Sequence, residues 1–419
     1  MQRVEVVVVG AGHAGLSTSY FLSRAGLEHV VLERGLVGEK WRRCWDSFYL
    51  NTANWGFNLP GAVYAGDEPN VFLSRDETVR YLEGYAQSFG APVHTDTRVV
   101  AVTGSAGRYV VETDGEIYQA GAVVVASGYF ARPRIPASAA RLAPDIFQVH
   151  SSAYRNPDGL PPGAVLVVGG AQSGPQIAED LLDAGRDVYL ATSRTGRTPR
   201  WYRGEDGFWW MIQSGMYSVP VNQLPDPNPK FAAARLLSGT RGGHTINLHQ
   251  LAAAGMRLLG HYETGGGYRL TFAPNLHWNL AESDALTDKL TRQLDEYIEK
   301  AQIDAPPRSP DNTEDYEGTD GFRLPEITDL DLRSAGIRSI VWGTGYHVDY
   351  SFVRLPVFDD AGQPIQKRGV TPYPGLYFMG VHFQHTGKSD LFCGVGDDAA
   401  FIAAAVEKQL RGTTAALPG

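Results

Sequence analysis

The 419-residue sequence predicts an α/β fold of two Rossmann-like dinucleotide-binding domains, one inserted into the other. Two observations predict it. Glycine-rich loops GAGHAG (residues 10–15) and GGAQSG (residues 169–174) each follow a valine-rich run, and strand-and-glycine patterns return near the C terminus. Short apolar runs ending in such loops mark parallel strands buried on both faces.

The first run, residues 4–9, is interrupted only by Glu5. Gly10 permits the tight turn, Gly12 lets backbone approach a pyrophosphate, and Gly15 lets the next helix pack close on the strand. His13 and Ala14 complete the loop at the helix N-terminus, where a pyrophosphate is favoured. An amphipathic helix (Leu16, Tyr20, Leu22) leads to a second strand, residues 29–32, ending at Glu33, 18 positions past Gly15. A carboxylate there accepts two ribose hydroxyls of an adenosine.

Residues 93–125 alternate extended segments (98–103, 108–113, 116–119) with glycine turns and read as a three-stranded meander. It feeds a buried strand at 122–125 and the small-residue turn Ala126-Ser127-Gly128-Tyr129. Prolines from Pro133 to Pro162 mark the crossing into the second unit.

That unit has a strand at 164–168, the loop with Gly169, Gln172, Ser173 and Gly174, a helix, and a strand at 187–190. Ala171 stands where the pattern has a glycine and adds one methyl near the pyrophosphate. The strand ends not in an acid but in Ser193 and Arg194, with Arg197, Arg200 and Arg203 beyond. A hydroxyl and guanidinium groups bind a 2′-phosphate that a carboxylate would repel, which favours NADPH over NADH.

Residues 198–245 are rich in aromatics (Trp201, Phe208, Trp209, Trp210, Tyr217) before a Pro/Asn-rich stretch at 225–229, and read equally as core or as the wall of a substrate channel. Apolar spacing predicts a helix over 285–302, then a surface loop at 305–320. After the loop come residues 340–342, Gly343-Thr344-Gly345-Tyr346, a run at 376–380 and an alanine-rich helix. These read as the first sheet returning. The expected domains are therefore 1–155 with 330–419, and 156–329.

A formal charge of −9 offers no basic stripe for nucleic acid. With the first strand starting at residue 4 and no apolar run of membrane-spanning length, a cytoplasmic, non-membrane protein is expected. Cys44 and Cys393 are the only cysteines, so no CxxC pair exists for dithiol reduction.

Taken together, these residues resemble the class B flavin-containing monooxygenases and the related Baeyer-Villiger enzymes, over most of the chain. GAGHAG with Glu33 and its neighbour Arg34 is similar to the family's FAD loop. Lys40, Trp41 and Trp45, then Asn51 and Thr52, resemble the segment beside the flavin, with Val99 among the implied contacts. GGAQSG with Ser193 and Arg194 is similar to the NADPH loop, and ASGY (126–129) and GTGY (343–346) to the two linker turns. Gly380 and residues 394–398, including Gly396, resemble the C-terminal flavin contact, where a helix N-terminus would face the flavin. Of the fingerprint FxGxxxH, Pro144 and Ile146 replace Phe and Gly, and only HSSAY (150–154) matches, so ketone oxygenation is the less expected chemistry.

The resemblance implies that NADPH reduces FAD, that O₂ adds at the flavin C4a position, and that the hydroperoxide oxygenates a small soft nucleophile, an amine or sulfur compound. It leaves room for a homodimer. Asn54 is the candidate for an amide near the reacting oxygen, with capping of a turn as its structural alternative. His150 reads as a structural donor, and the HxxH pair His382 and His385 as structural or substrate-lining. Two other readings stay open: an NADPH oxidase or reductase without oxygen transfer, and a nucleotide-binding redox sensor.

Overall fold

The computed structural model describes residues 1–225 and 235–414; the greater part of the expected Pro/Asn-rich stretch, 226–229, lies outside the described residues. Val6, Val7 and Val8 of the first strand, Gln2–Val9, are fully buried, because parallel neighbours and covering layers enclose both faces. The strand lies between His29–Leu32 and Ile117–Val125, with Val93–His94 outside the former and Leu376–Phe378 beyond the latter. The antiparallel meander Val99–Ser105 and Arg108–Thr113 attaches to the first half of Ile117–Val125. The segments expected separately at 116–119 and 122–125 are thus one nine-residue strand. Gly121 inside it faces the C-terminal helix, where a Cβ would stand 2.6 Å from Leu410, so this glycine is a packing site and not a turn.

The second sheet is parallel throughout, in the order Phe147–His150, Ile337–Trp342, Ala164–Val168, Val188–Ala191, Arg257–Leu259. The expected boundaries at 155/156 and 329/330 therefore move outward. Strand Ile337–Trp342, read from sequence as the first sheet returning, pairs instead with Ala164–Val168, and its apolar residues are buried there. The chain crosses between sheets through a small antiparallel ribbon of Arg132–Pro133 and Tyr346–His347. Arg134 N donates to Gly345 O (2.9 Å), its Nε to Thr344 O (2.8 Å), and the Thr344 hydroxyl to Arg134 O. His150 braces the crossing: Nε2 donates to Gly345 O at 2.9 Å while Nδ1 accepts from Ser152 N at 3.1 Å, as expected of a structural donor.

The long helix spans Leu276–Lys300, beginning nine residues before the expected 285. Its buried face carries Asn279, Ser283, Thr287 and Thr291, a polar stripe at four-residue spacing that apolar periodicity does not register. Asn279 Nδ2 donates to the Thr192 hydroxyl at 3.0 Å, and Thr287 Oγ1 bonds both N and O of Arg197. The 305–320 segment is likewise more than a surface loop, since Asp315 grips Arg197 and Asn247. In the aromatic region, Trp210 and Met211 are buried with Leu290 and Leu294 as core, while Phe208 and Tyr217 meet edge to face at 5.5 Å beside Trp55.

Between the sheets, the helix Ser173–Asp183 docks on the first domain through Gln176 Nε2 to Asn51 Oδ1 (3.1 Å) and through Asp180, which accepts from the Ser47 hydroxyl and, from beyond the strand Phe147–His150, from the Tyr154 hydroxyl. On its other side, Glu179 binds His244 at 2.8 Å and Arg241 at 2.6 Å. Burial opposes charge on His244, but the Glu179 carboxylate outweighs it and raises the pKa above the ordinary 6.5. A raised folded-state pKa gives stability that is fully present below the unfolded value and lost as pH rises through the folded one. The His244–Glu179 pair should therefore give the unfolding free energy a component that falls as pH rises past 6.5, against the rising components of His13, His29 and His150, whose pKa values burial lowers. His244→Gln should abolish that component in denaturant titrations; an equal slope in both proteins would remove His244 from the account.

Candidate functional site

The first glycine loop ends on the helix His13–Arg24, which has no side-chain cap and no acid in its first turn. Its N–H groups are therefore left for an anion. A Cβ on Gly15 would lie 1.9 Å from Gly10 O, so helix and strand meet at backbone distance. A Cβ on Gly12 meets nothing within 4 Å, which leaves open space before the helix. This is a cradle that a pyrophosphate fits. Glu33 lies beside it, 8% exposed, accepting from Ala11 N (2.8 Å) and Gly35 N (3.1 Å). Its carboxylate thus braces the loop and keeps lone pairs for a ribose. Glu33 N and Thr97 N tie residues 94–97 alongside, bringing half-buried Val99 near that end; Arg34 is exposed.

The second loop repeats the construction. A Cβ on Gly174 would meet Gly169 O at 1.8 Å, and the helix Ser173–Asp183 has neither a side-chain cap nor an acid in its first turn. Gly170, passed over in the sequence reading, packs on Ser193 N, which a Cβ would approach to 2.3 Å. Gly343 sits against Gly174, so the GTGY turn closes this loop. Gln172 is held by its amide to Leu237 O.

The cations beyond Ser193 separate into two kinds. Arg197 is bound by Asp284 and Asp315, Arg203 by Asp295, and Arg200 is fully buried against Asp206. These three are structural, a correction to the sequence reading. A guanidinium already neutralised and buried cannot turn to a ligand without leaving its carboxylate unpaired. Arg194 differs: it is 59% exposed and, among the described residues, paired only with Glu282, itself 31% exposed, at 2.8 Å. A surface pair of this kind contributes about 0–1 kcal/mol and is readily exchanged for a phosphate.

Of the implied flavin-side residues, Trp41 packs, together with Phe57, on Phe392, which stacks on His13 at 4.7 Å, and Trp45 is buried edge-on against Phe48. Lys40 holds its ammonium over Phe130 (4.9 Å) and Tyr346 (4.7 Å), at the linker crossing. Asn51 joins the domains as above, and the Thr52 methyl packs at Gly56. Asn54 is buried, and its amide donates to Glu68 O at 3.0 Å, closing the 54–68 loop. That contact matches the turn-capping alternative. Ala126 O lies against Gly10, carrying Ser127 and Gly128 past the first loop.

Gly380 lies over the same loop, 2.7 Å from Ala14 Cβ if given a Cβ, and Gly396 lies against Pro60. The first turn of the C-terminal helix Val395–Thr414 holds Asp397, bound by Lys388, and Asp398, bound by Arg368. The positive end expected to face the flavin is thus already met by the chain's own acids. His382 and His385 do not converge: His382 Nδ1 meets Asp390 Oδ2 at 2.9 Å, whereas His385 gives its carbonyl to Val221 N. Both cysteines are free; burial raises the Cys44 thiol pKa and pushes that of Cys393 up to about 12. Neither is poised as a nucleophile.

A family model described as pyridine nucleotide-disulphide oxidoreductase matches residues 7–203, which contain both glycine loops. An oxidoreductase of Geobacillus kaustophilus (strain HTA426) described as CzcO-like is 32% identical over 402 residues, covering 95% of this chain and 97% of that protein. The chain belongs to the CzcO-like oxidoreductase family. The resemblance to flavin-containing monooxygenases extends to sequence over part of the chain and to fold over nearly all of it. The indole-3-pyruvate monooxygenase YUCCA4 of Oryza sativa subsp. japonica is 33% identical over 196 residues, 42% of this chain and 44% of the rice protein. A flavin-containing monooxygenase from Stenotrophomonas maltophilia superposes with a TM-score of 0.66 at 20% identity, covering 97% of this chain and 99% of its own; at that identity the likeness is one of fold. No helix among the described residues is long and apolar enough to cross a membrane.

Proposed function

We propose that this CzcO-like oxidoreductase is a FAD- and NADPH-dependent monooxygenase that transfers one atom of O₂ to a small soft nucleophile, an amine or sulfur compound. The observation that carries the reading is the pair of uncapped glycine loops with chemically different ends, Glu33 on one and Ser193 with Arg194 on the other. A carboxylate suits a free ribose, so FAD; a hydroxyl and an exchangeable guanidinium suit a 2′-phosphate, so NADPH. Two separate, burial-raised thiols support oxygen transfer over dithiol reduction. When bound, FAD supplies the redox and oxygen chemistry. The chain's part is to orient and to exclude water: the glycine loops place the two dinucleotides, the linker ribbon and the Gln176–Asn51 contact fix one domain against the other, and Trp55, Phe208 and Tyr217 pack as an apolar cluster.

The test is turnover of the FAD-loaded protein with NADPH, ¹⁸O₂ and a panel of thioether and amine probes. One labelled oxygen in the product per NADPH consumed is expected. Hydrogen peroxide equal to NADPH consumed, with no labelled product across the panel, would favour the oxidase reading instead. Arg194→Ala should raise KM for NADPH about tenfold or more while leaving KM for NADH within about twofold. Equal changes for both would overturn the 2′-phosphate assignment.

A further inference from the structure

Asp390 is a carboxylate whose side chain is only 7% exposed, yet among the described residues its Oδ1 has no hydrogen-bond partner. A buried, unpaired carboxylate oxygen is costly and requires an explanation. Its position supplies one. Asp390 O accepts from His13 Nε2 (2.9 Å), the first residue of the helix behind GAGHAG, and its Oδ2 accepts from His382 Nδ1 (2.9 Å). His382 in turn stacks on Tyr129 at 5.2 Å between centroids. Tyr129 and His382 follow neighbouring parallel strands, Ile117–Val125 and Leu376–Phe378, at their carboxyl ends. That is where a doubly wound sheet binds its ligand.

We propose that His382 is the proton donor of this enzyme's oxygen step, with Asp390 and Tyr129 as its positioning residues. The inference rests on the monooxygenase reading above. Oxygen transfer consumes NADPH, O₂, substrate and one proton, and yields NADP⁺, oxygenated product and water. NADPH supplies two electrons as hydride, the O–O bond breaks, one oxygen bonds to the substrate lone pair, and the other departs needing a proton. His382 Nε2–H breaks to supply it, and solvent restores it along the ring edge that is 31% exposed. Without substrate, the same proton accompanies departure of hydrogen peroxide.

Asp390 serves this by geometry. A carboxylate only accepts, so it holds the proton of the ring on Nδ1, and a second proton on Nε2 then makes the donor form. Burial first, and Asp390 second, raise the Tyr129 hydroxyl well above its ordinary pKa, so that it stays protonated beside the carboxylate. The other titratable groups around the pair are His13, held neutral by burial; Tyr217 and Cys393, both raised by burial; and Lys388, occupied by Asp397. Arg235, a cation near Tyr217, has its pKa lowered by burial.

The test uses FAD-loaded wild type, His382→Gln, Asp390→Asn and Tyr129→Phe, with FAD content and melting temperature as folding controls. Flavin is reduced anaerobically with NADPH, or with dithionite if NADPH fails, and reoxidation is followed after mixing with O₂. The wild-type rate is expected to fall as pH rises. His382→Gln should be about 100-fold or more slower and flat with pH, with reduction by NADPH within twofold of wild type. ¹⁵N-histidine spectra of the holoprotein should show His382 protonated on Nδ1 in wild type and losing that preference in Asp390→Asn. Reoxidation of His382→Gln at the wild-type rate and pH profile, or a tautomer indifferent to Asp390→Asn, overturns the proposal. Failure of NADPH to reduce wild type overturns the monooxygenase reading instead, while the dithionite and ¹⁵N experiments still decide the proton donor.

Discussion

Gly12→Val is expected to give a folded, colourless protein. The Gly12 backbone, φ −79° and ψ 178°, is ordinary extended geometry that valine adopts without strain, and a Cβ there has no neighbour within 4 Å. The space it enters is the cradle in front of an uncapped helix. A branched side chain there keeps a pyrophosphate away from the N–H groups. FAD affinity should fall at least about 100-fold, roughly 2.7 kcal/mol. Melting temperature of the apoprotein should stay within a few degrees of wild-type apoprotein. The contrasting variant is Gly15→Ala, whose Cβ would lie 1.9 Å from Gly10 O and must force the helix off the strand. It should lose stability as well as colour. A Gly12→Val protein that binds FAD as wild type would mean that this loop is not where the flavin dinucleotide sits.

Asp206→Ala should be the most destabilising single change in the insertion. Asp206 and Arg200 side chains are both fully buried. Asp206 Oδ1 caps the helix Gly207–Gln213 by accepting from Phe208 N at 2.7 Å, and Oδ2 takes Arg200 and, at 3.3 Å, Trp55 Nε1. Arg200 continues the link into the first domain through Asn51 O (2.9 Å) and lies over the Phe72 ring at 4.3 Å. Removing the carboxylate strands a buried guanidinium whose Nε already lacks a partner. The expected cost is about 3–5 kcal/mol in unfolding free energy. Arg200→Met combined with Asp206→Leu should recover a large part of it, because the penalty belongs to the unpaired charge and not to the loss of the pair. A cost below about 1 kcal/mol for the single change would contradict the burial of this pair.

Features written in short, local patterns were legible in the sequence. Residues 10–15 and 169–174 with their entering strands, Glu33, and the two linker turns need only a few consecutive residues each. What escaped depends on partners far along the chain. Arg197, Arg200 and Arg203 read as a phosphate cluster because nothing near them in sequence announces Asp315, Asp206 or Asp295. The domain boundary shifted because a buried valine-rich strand looks the same in either sheet, and only pairing assigned Ile337–Trp342 to the second. The start of Leu276–Lys300 was missed because its buried stripe is polar. Asp390 and His382, eight positions apart in an irregular segment, carry no periodic signal, and their relation to Tyr129 arises from the adjacency of two strands. Asn54 was picked for its place beside Asn51 and Thr52, and the Glu68 carbonyl that takes its amide lies 14 positions on.

In the proposed reaction one chain brings FAD and NADPH together so that the second reduces the first. The most direct measurement is an anaerobic titration of the purified, FAD-loaded protein with NADPH and, separately, with NADH, following the flavin's visible absorbance. Bleaching is expected to be complete at one equivalent of NADPH, with a much weaker response at the same concentrations of NADH. Protein that cannot be loaded with FAD, or whose flavin stays oxidised in excess NADPH, would contradict the proposed reaction.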